Sequence, residues 1–208
     1  MTLTLRYMTL QDVPQVVNID RMAFELPWSE RSYAYEVTES TYSYMVVLEA
    51  ETPAPAARGW RRWLPLNGRS TGRRIVGYGG LWHIMSEAHI STIAVHPDYR
   101  GRGWGEILLA AMVRRAVALR AGFVALEVRV SNTKAQNLYH KYDFETVGTK
   151  PRYYRNNDED AYDMRLPLTA ANRQRFSQRF LALQTYHTFA DLYTTHEPPR
   201  TQQPGRMA

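Results

Sequence analysis

Ile93-Ala94-Val95-His96-Pro97-Asp98-Tyr99-Arg100-Gly101-Arg102-Gly103-Trp104-Gly105 runs from a β-branched strand through a Gly-rich turn into a segment, Gly105 to about Arg120, with helical character. Its glycines let backbone N–H groups approach an anion closely, and the helix start adds a dipole contribution of about 0.5–2 kcal/mol. The stretch reads as a pyrophosphate cradle. Arg100 and Arg102 can add charge-assisted contacts or can point to solvent. A nucleotide-triphosphatase loop would end in Gly-Lys-Ser/Thr, whereas this chain continues Gly105-Glu106-Ile107. A dinucleotide fingerprint needs its third glycine where Glu106 stands. Glu127 falls where a ribose-binding acid would, but antiparallel elements upstream argue against that fold. A Gly-rich turn without a ligand remains the other reading.

Working outward, the chain alternates element types. Leu3 and Leu5 suggest a first strand. Thr9 can cap a helix carrying Val13, Val16, Val17 and Phe24, with Pro14 tolerable near its start, and Ser29 caps a second helix to about Val37. Tyr42 to Glu49, Arg74 to His83 and Ala88 to Val95 read as strands, and the loop helix stops at Gly122 as a C-terminal cap. Phe123 to Val130 alternates: Leu126, Val128 and Val130 face one way, Ala125, Glu127 and Arg129 the other. A short helix with Ala135, Leu138, Tyr139 and Tyr142 on one face follows, then two strands, about Glu145 to Lys150 and Ala161 to Leu166. Hairpin strands early and a strand–helix–strand unit later predict an α/β (α+β) domain with a mixed sheet.

With 208 residues, 44% hydrophobic and 12% aromatic, the chain has enough material for one packed core. It contains no cysteine, which excludes a disulfide framework, a thiolate zinc site and a cysteine nucleophile. No stretch reaches the apolar length of a membrane span and the start lacks a leader pattern, so a soluble cytoplasmic protein is expected. The net charge of +6 suggests an acidic partner, but its placement is uneven. Segment 51–74, rich in Pro, Gly and Arg, carries +5, segment 169–208 carries +3, and the remainder carries −2. The first reads as a long loop; its Trp60, Arg61, Arg62 and Trp63 could contact RNA or be a solvated insertion. The second offers one helix, through Phe176, Phe180, Leu183 and Phe189 near helical spacing, and then a frayed tail.

The run Arg100-x-x-Gly103-x-Gly105 resembles the Arg/Gln-x-x-Gly-x-Gly/Ala loop of the GNAT superfamily of acetyl-CoA-dependent N-acetyltransferases. Leu126-Glu127-Val128-Arg129-Val130-Ser131-Asn132, then Leu138-Tyr139, Phe144, Tyr153-Tyr154 and Glu159-Asp160-Ala161, with Pro27-Trp28-Ser29 earlier, resemble its bacterial ribosomal-protein-alanine N-acetyltransferase branch. The resemblance covers about residues 3–168 apart from 51–74, within a domain read as residues 1–168. It implies the GNAT fold, a sheet of about six to seven strands flanked by about four helices; 51–74 and 169–208, the latter read as a C-terminal helical extension and flexible tail, have no counterpart in the family. It also implies acetyl-CoA as co-substrate and a protein N-terminus, that of a ribosomal protein, as partner, with no metal and no membrane. On the same basis Ile93, Ala94 and Val95 hold the pantetheine arm, and Gly101, Arg102, Gly103, Trp104, Gly105 and Glu106 hold the pyrophosphate with Arg100 beside them. Asn132 contacts the cofactor or caps a helix. Glu127 is implied as general base and Tyr139 as general acid, and Tyr153 and Tyr154, between the last two strands, close over the acceptor, with Glu25 facing its amine.

Those residue types suit the chemistry. Deprotonating a protein α-amine at pH 7 costs about 1 kcal/mol, against about 5 kcal/mol for a lysine side chain. A modest base therefore suffices, and Glu127 is expected to be desolvated, to work through water, or both. Periodicity alone makes Glu127 a strand carboxylate and Tyr139 a core aromatic; the resemblance reverses that reading. Asp143 stands where the family has a glycine, a position that often needs φ > 0, and aspartate tolerates this better than most residues. The alternative functions are an acetyltransferase for a small-molecule amine or lysine side chain, and an acetyl-CoA- or RNA-binding module without turnover.

Overall fold

The computed structural model describes residues 2–52 and 72–197. The basic segment therefore lies largely outside the described residues, and so does its suggested RNA contact. The elements are β1 (Leu3–Tyr7), α1 (Val13–Ala23), α2 (Glu30–Thr38), β2 (Ser43–Thr52), β3 (Gly72–Ile84), β4 (Glu87–Val95), α3 (Trp104–Ala118), β5 (Phe123–Arg129), α4 (Thr133–Lys141), β6 (Glu145–Tyr154), β7 (Glu159–Pro167), α5 (Ala170–Tyr186) and β8 (Phe189–Asp191). Eight strands form one sheet in the order β6-β7-β5-β4-β3-β2-β1-β8, against the six to seven expected from the sequence. The additional strand is β8, which pairs parallel to β1: the spacing places Phe189 on the helix, but α5 ends at Tyr186 and Phe189 opens the strand, because the edge of β1 takes its backbone.

Both faces of the sheet are covered. Val13, Val16, Val17 and Ile19 of α1, with Tyr33 and Val37 of α2, pack on Met45, Val47, Ile75 and Tyr78. On the other face α3 is buried along nearly its whole length against Val46, Leu48, Val76, Leu126 and Val128, and Phe176, Phe180 and Leu183 of α5 join the same cluster. Leu126 and Val128 thus turn toward α3 while Glu127 and Arg129 turn away, as the alternation predicts. Some local readings shift. Thr9 caps a short 3₁₀ turn, Leu10–Asp12, and α1 begins at Val13. The α3 stop is made by Arg120 at φ 60, with Ala121 N–H bonded to Ala116 O, while Gly122 N–H is taken by Ser86 O. Asp143 does adopt φ 62, and its carboxylate accepts from Arg175 and Arg179 of α5.

The N-terminal strand is tied in by a half-buried charge cluster. Arg6 donates to both Asp12 oxygens, at 2.7 and 2.8 Å, and to Glu49 at 2.6 Å. Arg6→Ala would leave two carboxylates, each with 7% side-chain exposure, without their shared cation, Glu49 keeping only the exposed Arg73 at 3.7 Å. The expected loss is about 3–5 kcal/mol, read as a lower urea midpoint. Hydrogen bonds from Arg6 and Thr9 outweigh burial and hold Asp12 below its usual value. A depressed carboxylate stabilises the fold above its unfolded pKa, and that stability is lost as pH falls through the folded one. Acidification below about pH 4 should accordingly destabilise wild type more than Arg6→Ala.

Candidate active site

The site begins where two parallel strands part. β4 and β5 pair only over Glu87–His89 and Phe123–Ala125. Just beyond, Ser91 is an extra residue in β4 opposite Gly80 and Leu81, and this bulge bends β4 away from its neighbour. From there β4 has β3 alone and β5 has β7 alone as partner. His96 N–H bonds Val76 O, so by the alternation of an antiparallel ladder Ile93 and Val95 aim their backbone groups into the split, and Ala94 aims its own at β3. Ala94 lines the resulting groove without offering a free polar group to it, which corrects the equal weight the sequence reading gave the three. Val95 O already accepts from Arg100 Nε at 3.2 Å.

The groove, about 620 Å³, runs from Ile93 past Tyr99, Gly101, Gly103 and Gly105 to Lys134 and Leu138. Gly101 and Gly103 adopt φ 79 and 78, the left-handed backbone that glycine takes without strain. Among the described residues the amides of Gly101, Arg102 and Gly103 make no hydrogen bond, and they stand beside the open N-terminus of α3. The Arg102 guanidinium covers Tyr99 and Trp104, which stack at 5.3 Å. Glu106 departs from expectation. Its N–H returns to Gly103 O, and its carboxylate accepts from Lys141 and Tyr142, so it ties α3 to α4 and offers the groove no donor. Asn132 caps α4 through Oδ1, bonded to Ala135 N–H at 3.2 Å, and its Nδ2 has no partner among the described residues.

The groove opens into a second cleft, of about 350 Å³, with which it shares Ala23, Phe24, Ile93, Asn132 and Ala135. Glu127 and Tyr139 both line this cleft. Glu127 is clamped, accepting from His89 Nε2 at 2.8 Å and from Lys150 Nζ at 2.5 Å. Burial pushes its pKa up, yet the two partners outweigh that and hold it at about 2. The sequence reading expected desolvation, a water relay, or both for this base; the hydrogen bonds from His89 and Lys150 override the effect of desolvation. Tyr139 is buried, tilts against Phe144 at 5.9 Å and leaves its hydroxyl without a partner among the described residues. Its burial raises the phenol pKa, so the group stays protonated.

The cleft walls come from opposite ends of the sheet. Asp20, 1% exposed, accepts from Trp28 N–H at 2.6 Å and from the Tyr78 hydroxyl, which fixes the α1–α2 loop as one wall. Tyr153 and Tyr154 form the other and belong to the end of β6, which runs longer than the sequence suggested. Arg129 lies 3.9 Å above the Tyr154 ring. Glu25 does not join Glu127; its carboxylate accepts from Asn156 Nδ2 in the β6–β7 turn, bridging the two walls. Sequence reasoning missed His89, Lys150 and Asp20. They lie far from Glu127 along the chain, and only the strand order brings the first two to it.

The cleft and groove have the form of a thioester-binding site, and residues 13–144 match the model of the acetyltransferase (GNAT) family. The chain belongs to the GNAT family. It is an acetyl-CoA-dependent N-acetyltransferase, and its unpaired β4 backbone and left-handed glycines fit the pantetheine arm and the pyrophosphate of that co-substrate. A Bacillus subtilis (strain 168) protein provisionally named ribosomal protein bS18-alanine N-acetyltransferase is 33% identical to this acetyltransferase over 159 residues, 76% of this chain and 91% of that one. The Escherichia coli (strain K12) ribosomal protein bS18-alanine N-acetyltransferase is 27% identical over 168 residues, 80% of this chain and 98% of its own. The crystal structure of the ribosomal-protein-S18-alanine N-acetyltransferase from Escherichia coli superimposes with TM-score 0.64 at 25% identity, covering 81% of this chain and 95% of that one. Among the described residues no three His, Asp or Glu side chains cluster as a metal site, and no helix is long and apolar enough to cross a membrane.

Proposed function

We propose that this GNAT enzyme acetylates the α-amine of a protein N-terminus, that of an alanine-starting ribosomal protein, by direct transfer within a ternary complex. The observation that carries this reading is the cleft with its clamped Glu127, unpartnered Tyr139 hydroxyl and two mouth tyrosines, joined directly to the groove. Names of the relatives supply the acceptor: both are alanine N-acetyltransferases of a ribosomal protein. A chain with no cysteine and two compartments that share five lining residues support direct transfer.

Acetyl-CoA supplies the acetyl thioester when bound. Ile93 and Val95 hold the pantetheine amides, and the amides of Gly101, Arg102 and Gly103 with the α3 N-terminus hold the pyrophosphate. Asn132 Nδ2 has the freedom to join them. Glu127, permanently anionic, draws in and orients the acceptor ammonium; its proton leaves through water, because a carboxylate with a pKa of about 2 does not retain it. Tyr139 donates its hydroxyl proton toward the departing sulfur. Tyr153 and Tyr154 flank the first acceptor residues.

The test incubates the enzyme and acetyl-CoA with an alanine-starting peptide, an N-terminally blocked lysine peptide and a polyamine, read by mass shift. Preferential acetylation of the alanine peptide is expected. Acetylation of the polyamine alone would overturn the acceptor assignment.

A further inference from the structure

The C-terminal extension reaches the cofactor loop. Arg173, near the start of α5, donates to Ala121 O at the far end of α3. Midway, Arg114 of α3 covers the Phe180 ring at 4.5 Å. At the close of α5, His187 stands against Gly103: a Cβ at that glycine would lie 2.6 Å from His187 Nε2 and 2.9 Å from Cε1. α5 therefore runs antiparallel to α3, and its last residue meets the turn that opens α3. Gly101, the other left-handed residue of the turn, has nothing within 4 Å of its Cβ position.

The chain beyond His187 is also anchored. β8 pairs with β1, and the amides of Leu192 and Tyr193 both reach Leu5 O. Tyr193 is fully buried and donates to Tyr44 O at 3.1 Å. Arg115, itself on α3 and buried, donates to Tyr193 O and His196 O. Both ends of the segment carrying His187 are thus fixed to the same helix and sheet that form the groove. The His187 ring nitrogens make no hydrogen bond among the described residues; its main-chain N–H caps α5 at Leu183 O and its ring rests edge-on against Tyr186 at 4.7 Å. Its contact with Gly103 is one of packing.

We infer that His187 is a positioning residue for the cofactor: the extension braces the Gly103 side of the turn, keeping the loop amides and the α3 N-terminus convergent on a pyrophosphate. The inference rests on the reading that this loop holds the pyrophosphate. A helix N-terminus binds an anion through several N–H groups at once, so a turn free to rock on two left-handed glycines loses that convergence. The chemistry in the second cleft is untouched by such rocking. The brace therefore acts on acetyl-CoA binding and not on turnover.

The experiment compares wild type with His187→Ala and His187→Gln in the full chain, using acetyl-CoA and acetyl-pantetheine, which lacks the pyrophosphate and the nucleotide. Both variants are expected to raise KM for acetyl-CoA about tenfold, with kcat within about twofold and KM for acetyl-pantetheine unchanged. Gly103→Ala should cost less in the His187→Ala background than in wild type, because the collision with the ring is gone and the left-handed strain alone remains. An unchanged KM for acetyl-CoA, or an equal rise for both donors, would overturn the brace. Equal KM values for the two donors in wild type would instead show that the loop holds no pyrophosphate.

Discussion

Glu127→Gln is expected to lower kcat/KM for an alanine-starting peptide by about 10²- to 10³-fold while leaving KM for acetyl-CoA within about twofold. The substitution keeps the shape of the side chain and removes its charge. His89 and Lys150, which now bond the carboxylate at 2.8 and 2.5 Å, would then face the incoming ammonium without their anion. The loss combines a missing attraction with a new repulsion. Because Glu127 is held at about 2, it is ionised at every pH of practical assay and contributes no acid limb near the ordinary carboxylate value. Its ion pairing stabilises the fold above the unfolded value of 4.5 and is lost as pH falls toward 2. The acid limb of kcat/KM should follow the acceptor instead, near 7.7–8 for an α-amine, and should move with acceptors of different amine pKa. If Glu127 assists proton removal, the Glu127→Gln defect shrinks above that pH, where the amine is already neutral. A defect that stays constant across the range would confine Glu127 to stabilising the positive charge that develops on the nitrogen as it attacks, with no part in attracting the ammonium or removing its proton.

Much of the site was legible before any coordinates because it is written in local chemistry. The Gly101 and Gly103 turn, the β5 alternation that separates Glu127 from Leu126 and Val128, and the Asn132 cap each depend on a few neighbouring residues. What escaped depends on contacts between distant segments. His89 meets Glu127 because β4 and β5 pair in parallel over three residues, and Lys150 does so across β7, where no spacing along the chain signals either. These two contacts decide the titration of Glu127, so the expected desolvated base became a clamped anion. The extension was misjudged for the same reason. Phe189 continues the helical spacing of Phe176, Phe180 and Leu183, yet the open edge of β1 takes it as a strand and the buried Arg115 holds the residues after it. Asp143 shows the converse case: a local rule foresaw its positive φ, but not that its carboxylate would hold α5 through Arg175 and Arg179.

Tyr139→Phe is expected to lower kcat about 10²-fold with KM for both substrates little changed, since the ring packing against Phe144 is kept and only the hydroxyl is lost. Tyr139 is buried and its hydroxyl, free of partners among the described residues, opens on the cleft beside Asn132 and Ala135. Stability should barely fall, because the hydroxyl makes no hydrogen bond among the described residues and its deletion breaks none. That separates a proton-donating role from a packing role: a core tyrosine would lose stability and keep kcat. Burial raises the Tyr139 pKa, so no loss of activity from its ionisation is expected at neutral pH. The sharper measurement varies the leaving group. An acetyl donor whose thiol is more acidic departs as a stable thiolate with less need of a proton, so the Tyr139→Phe defect should shrink with that donor while the Glu127→Gln defect does not. Equal defects with both donors would remove Tyr139 from the departure of the sulfur.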